Sequence, residues 1–494
     1  MMILQLLLLA LSLAYSAAFA PQSLVLGRQC YTATTTTALS SSTPPNDDEN
    51  AFSRRQFGEL AFAAAGLGIT YAGTREVDPT DYGLWGILPV GTYKKKKTIR
   101  ETIVPGKLWT FDQKFGILNV QVPLRMTMIK MKDGGLFVYN AIAATQECLE
   151  LMREIEAQHG AVRHITVGSV ALEHKAYAGV LAQKFPQAQV WLQTGQYSFP
   201  VDLPNSFLGY PKERTHNMPA SIEEAPADWQ KEFDLATLGP IISRDGAFGE
   251  TVFFHKPTET LLVTDTTVQV TDDIPAIYET DHTPLLYHAR DTITDAVTDT
   301  PETLKRGWRR VQLFGLYFTP SPIVIKDAKV AFQERRPDIN SDFAGIYPWD
   351  WVGDEEASWR GLTGTGNGGP LVAPILQVLL LNRSPVEVLD FADKVAAWNF
   401  HRIIPAHLKN DLKFTGADYR KSFGFLEEKG VPSDFPKPLD ADLQTLRDAE
   451  VSLIASHAIV PSPPKVGGKY SRAEIIAQTT YQCRGEICTP KSSP

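Results

Sequence analysis

The stretch Arg163–Gly179, RHITVGSVALEHKAYAG, restricts the architecture more than any other part of the chain. A short β-branched run, His164–Val167, breaks at Gly168. An acid–imidazole–amine triple, Glu173-His174-Lys175, follows before an alanine-rich helical pattern begins. A strand that ends in a glycine-bearing loop opening onto a helix is where layered α/β proteins gather ligand chemistry. Two later runs finish in the same manner: LLVTD closes on Asp265 and HRIIPAH closes on His407. Three strand ends that carry metal-capable side chains point to one shared site.

The patterns around these runs predict an α/β core. LWTFDQ, VPLRMTMIKM and GLFVYN read as strands, with Lys132–Gly135 as a hairpin turn. Thr145–His159 has helical periodicity, Thr145 as its cap and Gly160 as its stop. HKAYAGVLAQKF predicts a helix and AQVWLQ a strand, whereas Asn205–Leu238, rich in proline, asparagine and acids, predicts loop. GETVFFHKPTETLLVTDTTVQV gives two strands around a turn at His255–Thr260. Helices are expected over Pro301–Phe318 and Pro385–Phe400. Between them, residues 331–369 read as a loop insertion ending in GLTGTGNGG, a glycine run with no GxGxxG that opens a helix after a strand, as a phosphate cradle requires.

The 494 residues suffice for one large domain with appendages. A net charge of -8 leaves no basic footprint and argues against a nucleic-acid partner. Four cysteines are too few for a disulfide-built scaffold. Cys148 lies in the helical pattern and reads as a buried small hydrophobe. Cys483 and Cys488 bracket RGEI, for which a local disulfide, or no bond, is favoured over metal. The run Lys94–Lys97 reads as a solvated patch, with an anionic lipid contact as the sharper alternative.

The N-terminus reads as targeting sequence. Residues 1–20 hold the apolar core of a signal peptide. The junction Ser16-Ala17-Ala18-Phe19-Ala20-Pro21 resembles the Phe-centred cleavage motif of proteins sent to complex plastids in diatoms and related algae. Residues 21–52, hydroxyl-rich and with no acid before Asp47, fit a transit peptide. Residues 53–73 begin with Arg54-Arg55 and continue into a short apolar run. They fit either a twin-arginine signal to the thylakoid lumen or more transit peptide. The expected location is therefore a plastid, in stroma or lumen, with peripheral thylakoid membrane association as a further expectation. Residues 74–105 would form an arm, 106–415 the domain and 416–494 a helical tail with a Pro/Ser-rich end.

The order of elements resembles the metallo-β-lactamase fold, a four-layer αββα sandwich. Specific blocks narrow the resemblance to an uncharacterised family of plant, algal and bacterial proteins with a metallo-β-lactamase-like domain. They are Ala171–Lys175 with Phe185–Val190, Phe253–Lys256 with Leu261–Asp265, His288–Asp291 with Gly307–Arg310, and Arg402–His407. The likeness spans about Leu84–His407.

In active hydrolases of that fold the signature loop is His-x-His-x-Asp-His, and a later His, a bridging Asp and a final His complete the site. Setting the last His of the loop on His174 puts Glu173 on the Asp, Ala171 on the second His and Ser169 on the first. Asp265 falls on the bridging Asp and His407 on the final His, while the later His has only His216 in its interval. The resemblance thus implies a depleted centre. His174, Asp265 and His407 would hold one zinc, iron or manganese ion, and Glu173 would orient a water or take its proton.

Two readings stay open: a single-metal hydrolase acting on an unknown small-molecule substrate, and a non-catalytic binding or assembly scaffold that keeps the fold, for which no metal is needed. Other residues carry plainer expectations. His164 reads as a half-buried structural histidine and His255 as part of a surface turn. His288-Ala289-Arg290-Asp291 reads as an ion pair bracing a loop. Lys175 would lower the pKa of His174 or point to solvent, and Ser169 lacks the elbow of a nucleophile.

Overall fold

Four strands open the fold as an antiparallel meander: β1 (Ile99–Val104), β2 (Leu108–Ile117), β3 (Val120–Lys130) and β4 (Leu136–Tyr139). The computed structural model describes residues 96–463, apart from positions 118 and 428 and stretches 197–204, 244–245, 340–344 and 366–367, together with 481–484 and 487–490. The signal, transit and twin-arginine readings lie outside the described residues. Helices α1 (Gln146–His159) and α2 (Leu172–Lys184) then carry the chain into parallel strands β5 (Val162–Val167), β6 (Gln189–Leu192) and β7 (Thr215–Asn217). These seven strands lie in chain order in one sheet.

The second sheet is built from β8 (Phe233–Ser243), β9 (Gly246–His255), β10 (Thr260–Val263) and a strand that arrives much later. Before it come helix α3 (Pro301–Tyr317), a small pair β11 (Ile323–Ile325) and β12 (Trp349–Trp351), and helix α4 (Pro385–Ala396). The late strand, β13 (Arg402–Pro405), pairs in parallel with β10 and gives the order β13-β10-β9-β8.

Alternation along the strands stacks these elements in four layers. Met128 and Val138 face α1 and α2, where Cys148, Met152, Tyr177 and Leu181 cover them. Their neighbours Ile129, Phe137 and Tyr139 point the other way and meet Phe253, Leu262 and Ile404 of the second sheet. On the far side of that sheet Phe254, Leu261, Val263 and Ile403 pack under Trp308, Val311 and Phe314 of α3 and Val388, Ala392 and Val395 of α4. The result is the αββα sandwich that the resemblance implies. Among the described residues no helix is long and apolar enough to cross a membrane.

Most elements follow the sequence pattern. Thr145 caps α1 by accepting from the Cys148 amide, and Gly160, at φ 96°, ends it. Three expectations need correcting. Strand β8 starts at Phe233, inside the stretch read as loop. Its alternation, with Phe233 and Leu235 between the sheets and Ala236 and Leu238 on the far side, is masked by the acidic sequence before it and by Gly239-Pro240, where the register shifts. The insertion at 331–369 contains β12 and a helix, Glu355–Thr363. Its aromatics Tyr347, Trp349, Trp351 and Trp359 are buried, and the Arg310 and Arg309 guanidinium groups lie over Trp351 and Trp359. His255 is buried rather than exposed, its Nδ1 2.7 Å from Thr258 Oγ1 and its Nε2 3.4 Å from Glu232.

The described part of the lysine run, Lys96 and Lys97, also departs from the solvated reading. Lys97 pairs with Glu147 on α1, while Lys96 is buried, its ammonium donating to the Lys114 carbonyl and lying over the Tyr177 ring. Burial first, and the Lys114 charge second, lower its pKa from 10.5 to about 7. Between those values the unfolded chain holds a proton that the folded chain has released, so stability should climb as pH rises from about 7. Lys96→Met should raise stability at neutral pH by about 1–3 kcal/mol and flatten that climb. Urea unfolding at a series of pH values checks both.

Candidate metal centre

Three strand ends meet at one edge of the sandwich. In the parallel pair β10–β13, Val263 lies opposite Pro405, so the next residues of the two strands run on side by side and bring Asp265 next to His407. Strand β5 comes from the other sheet and turns at Gly168 into Ser169 and then α2. A Cβ on Gly168 would lie 2.4 Å from the Tyr139 hydroxyl, so this turn needs glycine. Beyond it, Ser169 bridges to Glu250 of β9, and the Thr251 amide donates to the Gly168 carbonyl, which ties the two sheets together beneath the site. Glu173 and His174 occupy the first turn of α2, which begins at Leu172, two residues before the predicted start at His174.

The group that converges is Glu173, Asp265 and His407, with one ligand atom of each lying within 4.8 Å of the others. His407 Nε2 stands 3.3 Å from Asp265 Oδ1 and 3.9 Å from Glu173 Oε1. These are charge contacts, because that nitrogen, buried, has no aligned hydrogen-bond partner among the described residues. Its other nitrogen, Nδ1, lies 3.1 Å from the Pro123 carbonyl. A carbonyl only accepts, so Nδ1 carries the hydrogen, and in the neutral ring Nε2 turns its lone pair toward the two carboxylates.

His174 repeats the arrangement beside the trio. Its ring centroid is 5.6 Å from that of His407, its Nδ1 lies 3.3 Å from the Ala141 carbonyl, and its buried Nε2 has no hydrogen-bond partner among the described residues. The structure therefore places Glu173 among the converging donors and His174 next to them. The sequence pattern assigned His174 to the metal and Glu173 to the water.

Burial, helped by the charge of His407, lowers the pKa of His174 to about 4. Burial would lower His407 as well, but Asp265 and Glu173 outweigh it and hold His407 above its ordinary value. Lys175 is buried rather than turned to solvent.

Several residues that the sequence pattern did not single out build this edge. The Glu250 carboxylate accepts from the Thr264, Asp265 and Thr266 amides at 2.7, 2.9 and 2.9 Å and from the Thr266 hydroxyl at 3.0 Å. Burial, then the Asp265 charge, raises Glu250 to about 7. The Ser169 hydroxyl donates to Asp265 Oδ2 at 3.0 Å and is a brace for that carboxylate. Arg125 of β3 is buried and reaches the Pro405 and Leu408 carbonyls on either side of His407. The only hint in the sequence was a charged residue set within a strongly apolar strand pattern, as Glu250 and Arg125 both are.

The other histidines stand apart. His216 is exposed on β7, 2.8 Å from Gln189. His164 pairs with Asp228 at 2.9 Å, as a structural histidine would. Asp291 binds Arg306 and Arg310 of α3, while Arg290 donates to the Asp295 carbonyl, so the expected brace exists with other partners.

Comparison with solved structures finds low-identity likenesses. A metallo-beta-lactamase from Pontibacter korlensis is 8% identical with a TM-score of 0.32, over 66% of this chain and 99% of that one. A metal-soaked Flv1 flavodiiron core from Synechocystis sp. PCC6803 is 12% identical with a TM-score of 0.33, over 66% and 60%. A mutant Flavo Di-iron protein from Thermotoga maritima is 10% identical with a TM-score of 0.34, over 68% and 63%. The chain thus spans less than two thirds of the two flavodiiron proteins. No curated protein matches the sequence. Residues 105–425 match the family model described as Domain of unknown function (DUF4336), a stretch that runs from β2 past β13 and includes Glu173, His174, Asp265 and His407. The chain belongs to the DUF4336 family.

Proposed function

We propose that Glu173, Asp265 and His407 hold a single zinc, iron or manganese ion in a hydrolase of metallo-β-lactamase type that acts on an ester, thioester or phosphoester. The observation that carries this reading is the buried, unpartnered Nε2 of His407, set 3.3 Å from one carboxylate and 3.9 Å from another. Two carboxylate oxygens and one imidazole nitrogen suit all three metals. A bound ion supplies Lewis acidity toward a substrate oxygen.

The chain's own residues prepare the donors. Pro123 fixes the His407 tautomer, and Ser169 orients Asp265. Glu250 clamps the Asp265 backbone. Ala171 and Ser169 stand where the fold's hydrolases carry imidazoles, so a second ion has no comparable donor set. The reading includes a plastid location, in stroma or lumen and with a peripheral thylakoid contact, on the evidence of residues 1–73 alone.

The alternative, a non-catalytic scaffold, is favoured by one observation. Glu173, His174 and His407 are only 2%, 0% and 7% exposed, which leaves little room for substrate. Elemental analysis of the purified chain separates the two. The metal reading expects about one equivalent of ion per chain, lost in His407→Ala, together with a melting temperature that falls on chelation. A chain without stoichiometric metal, whose melting temperature ignores both chelator and added ion, would leave the scaffold.

A further inference from the structure

We propose that Cys483 and Cys488 form a reversible intrachain disulfide across the C-terminal hairpin, a modification site carried by elements other than those of the metal centre. Strands β14 (Tyr481–Arg484) and β15 (Ile487–Pro490) pair antiparallel in the register Tyr481↔Pro490, Gln482↔Thr489, Cys483↔Cys488 and Arg484↔Ile487. The two cysteines are therefore directly opposed, not merely near each other in sequence.

The parity of the ladder strengthens the inference. Opposed residues in an antiparallel pair alternate between hydrogen-bonded and non-hydrogen-bonded sites. Pro490 has no amide hydrogen, so its pairing with Tyr481 belongs at a non-hydrogen-bonded site. Cys483 and Cys488 lie two positions further along each strand and share that parity. At such sites the Cα atoms approach to about 4.5 Å, inside the span of about 4.4–6.8 Å that a disulfide bridges. A metal is the poorer occupant, because the ten residues from Tyr481 to Pro490 bring two thiols, no histidine and a single carboxylate, Glu486.

The chemistry closes with a disulfide oxidant such as oxidised glutathione. One thiolate attacks a glutathione sulfur, forming a mixed disulfide and releasing one glutathione. The second thiolate then displaces the other glutathione as the Cys483–Cys488 bond forms. Two electrons pass to the oxidant, and the two thiol protons end on the two glutathione molecules.

Arg484 lies between the two cysteines, which makes the test direct. The full chain, prepared as a mixture of light and nitrogen-15 forms, is equilibrated with oxidised glutathione, alkylated and cut with trypsin. The expected product is a pair of peptides, one ending at Arg484 and one starting at Gly485, joined in light–light and heavy–heavy form only and parted by dithiothreitol. In Cys483→Ser the joined pair should be absent, with Cys488 found alkylated or as its glutathione mixed disulfide. Light–heavy pairs, linkage to Cys30 or Cys148, or full alkylation of both hairpin cysteines in the native sequence would each overturn the proposal.

Discussion

Arg125→Ala should lower stability by about 3–5 kcal/mol, the range expected when one partner of a buried charge pair is removed. Arg125 is 1% exposed and donates at 2.7 Å to Asp112, at 2.7 Å to the Pro405 carbonyl and at 3.1 Å to the Leu408 carbonyl. Burial already raises the pKa of Asp112, against the pull of Arg125. Without the guanidinium, a buried acid and two carbonyls lose their partner together. Arg125→Lys should recover only part of the loss, because one ammonium cannot span three acceptors on two sheets. A paired replacement, Arg125→Met with Asp112→Leu, should recover more, since it removes the stranded acid as well. Urea unfolding of the four proteins checks the order. Pro405 and Leu408 flank His407, so the alanine variant should also bind metal more weakly than its lost stability alone accounts for.

Glu250→Ala should cost on the order of 3–5 kcal/mol, because it strands three backbone amides and a hydroxyl that a single carboxylate now satisfies. Glu250→Gln keeps one accepting oxygen and turns an amide group toward the remaining donors, so about 1–3 kcal/mol is expected. Amide exchange at Thr264, Asp265 and Thr266 should quicken in both variants, while the α1 amides stay protected. The glutamine also removes a titration. The folded chain keeps a proton on Glu250 up to about 7, which the unfolded chain sheds near 4.5. The native protein therefore loses stability through this group as pH rises across that window, and Glu250→Gln should not.

The alternation of strand and helix was legible because burial on one side of each element leaves a periodic trace, as in Thr145–His159 with its cap and stop. Asp265 and His407 were legible as strand endings, and the parallel register of β10 with β13 is what brings them together. Glu173 was found but set in the loop before a helix starting at His174. The start of α2 at Leu172 was hidden because its N-cap, Ala171, makes no side-chain hydrogen bond. Glu250 and Arg125 were missed for a different reason. Each owes its role to groups on other segments: Glu250 to amides 14 to 16 positions on, and Arg125 to the Pro405 carbonyl 280 positions away. Lys96 and His255 were read as exposed because composition carries no record of the neighbours that later bury them.

Because β10 leaves its place beside it open until β13 returns, the donor set spans both ends of the folding sequence. A chain still emerging from the ribosome would offer two carboxylates and no completing imidazole. If the proposed ion binds there, its capture would wait until synthesis has passed His407, and a polypeptide cut short before that point would be spared from sequestering scarce metal in a half-made cradle.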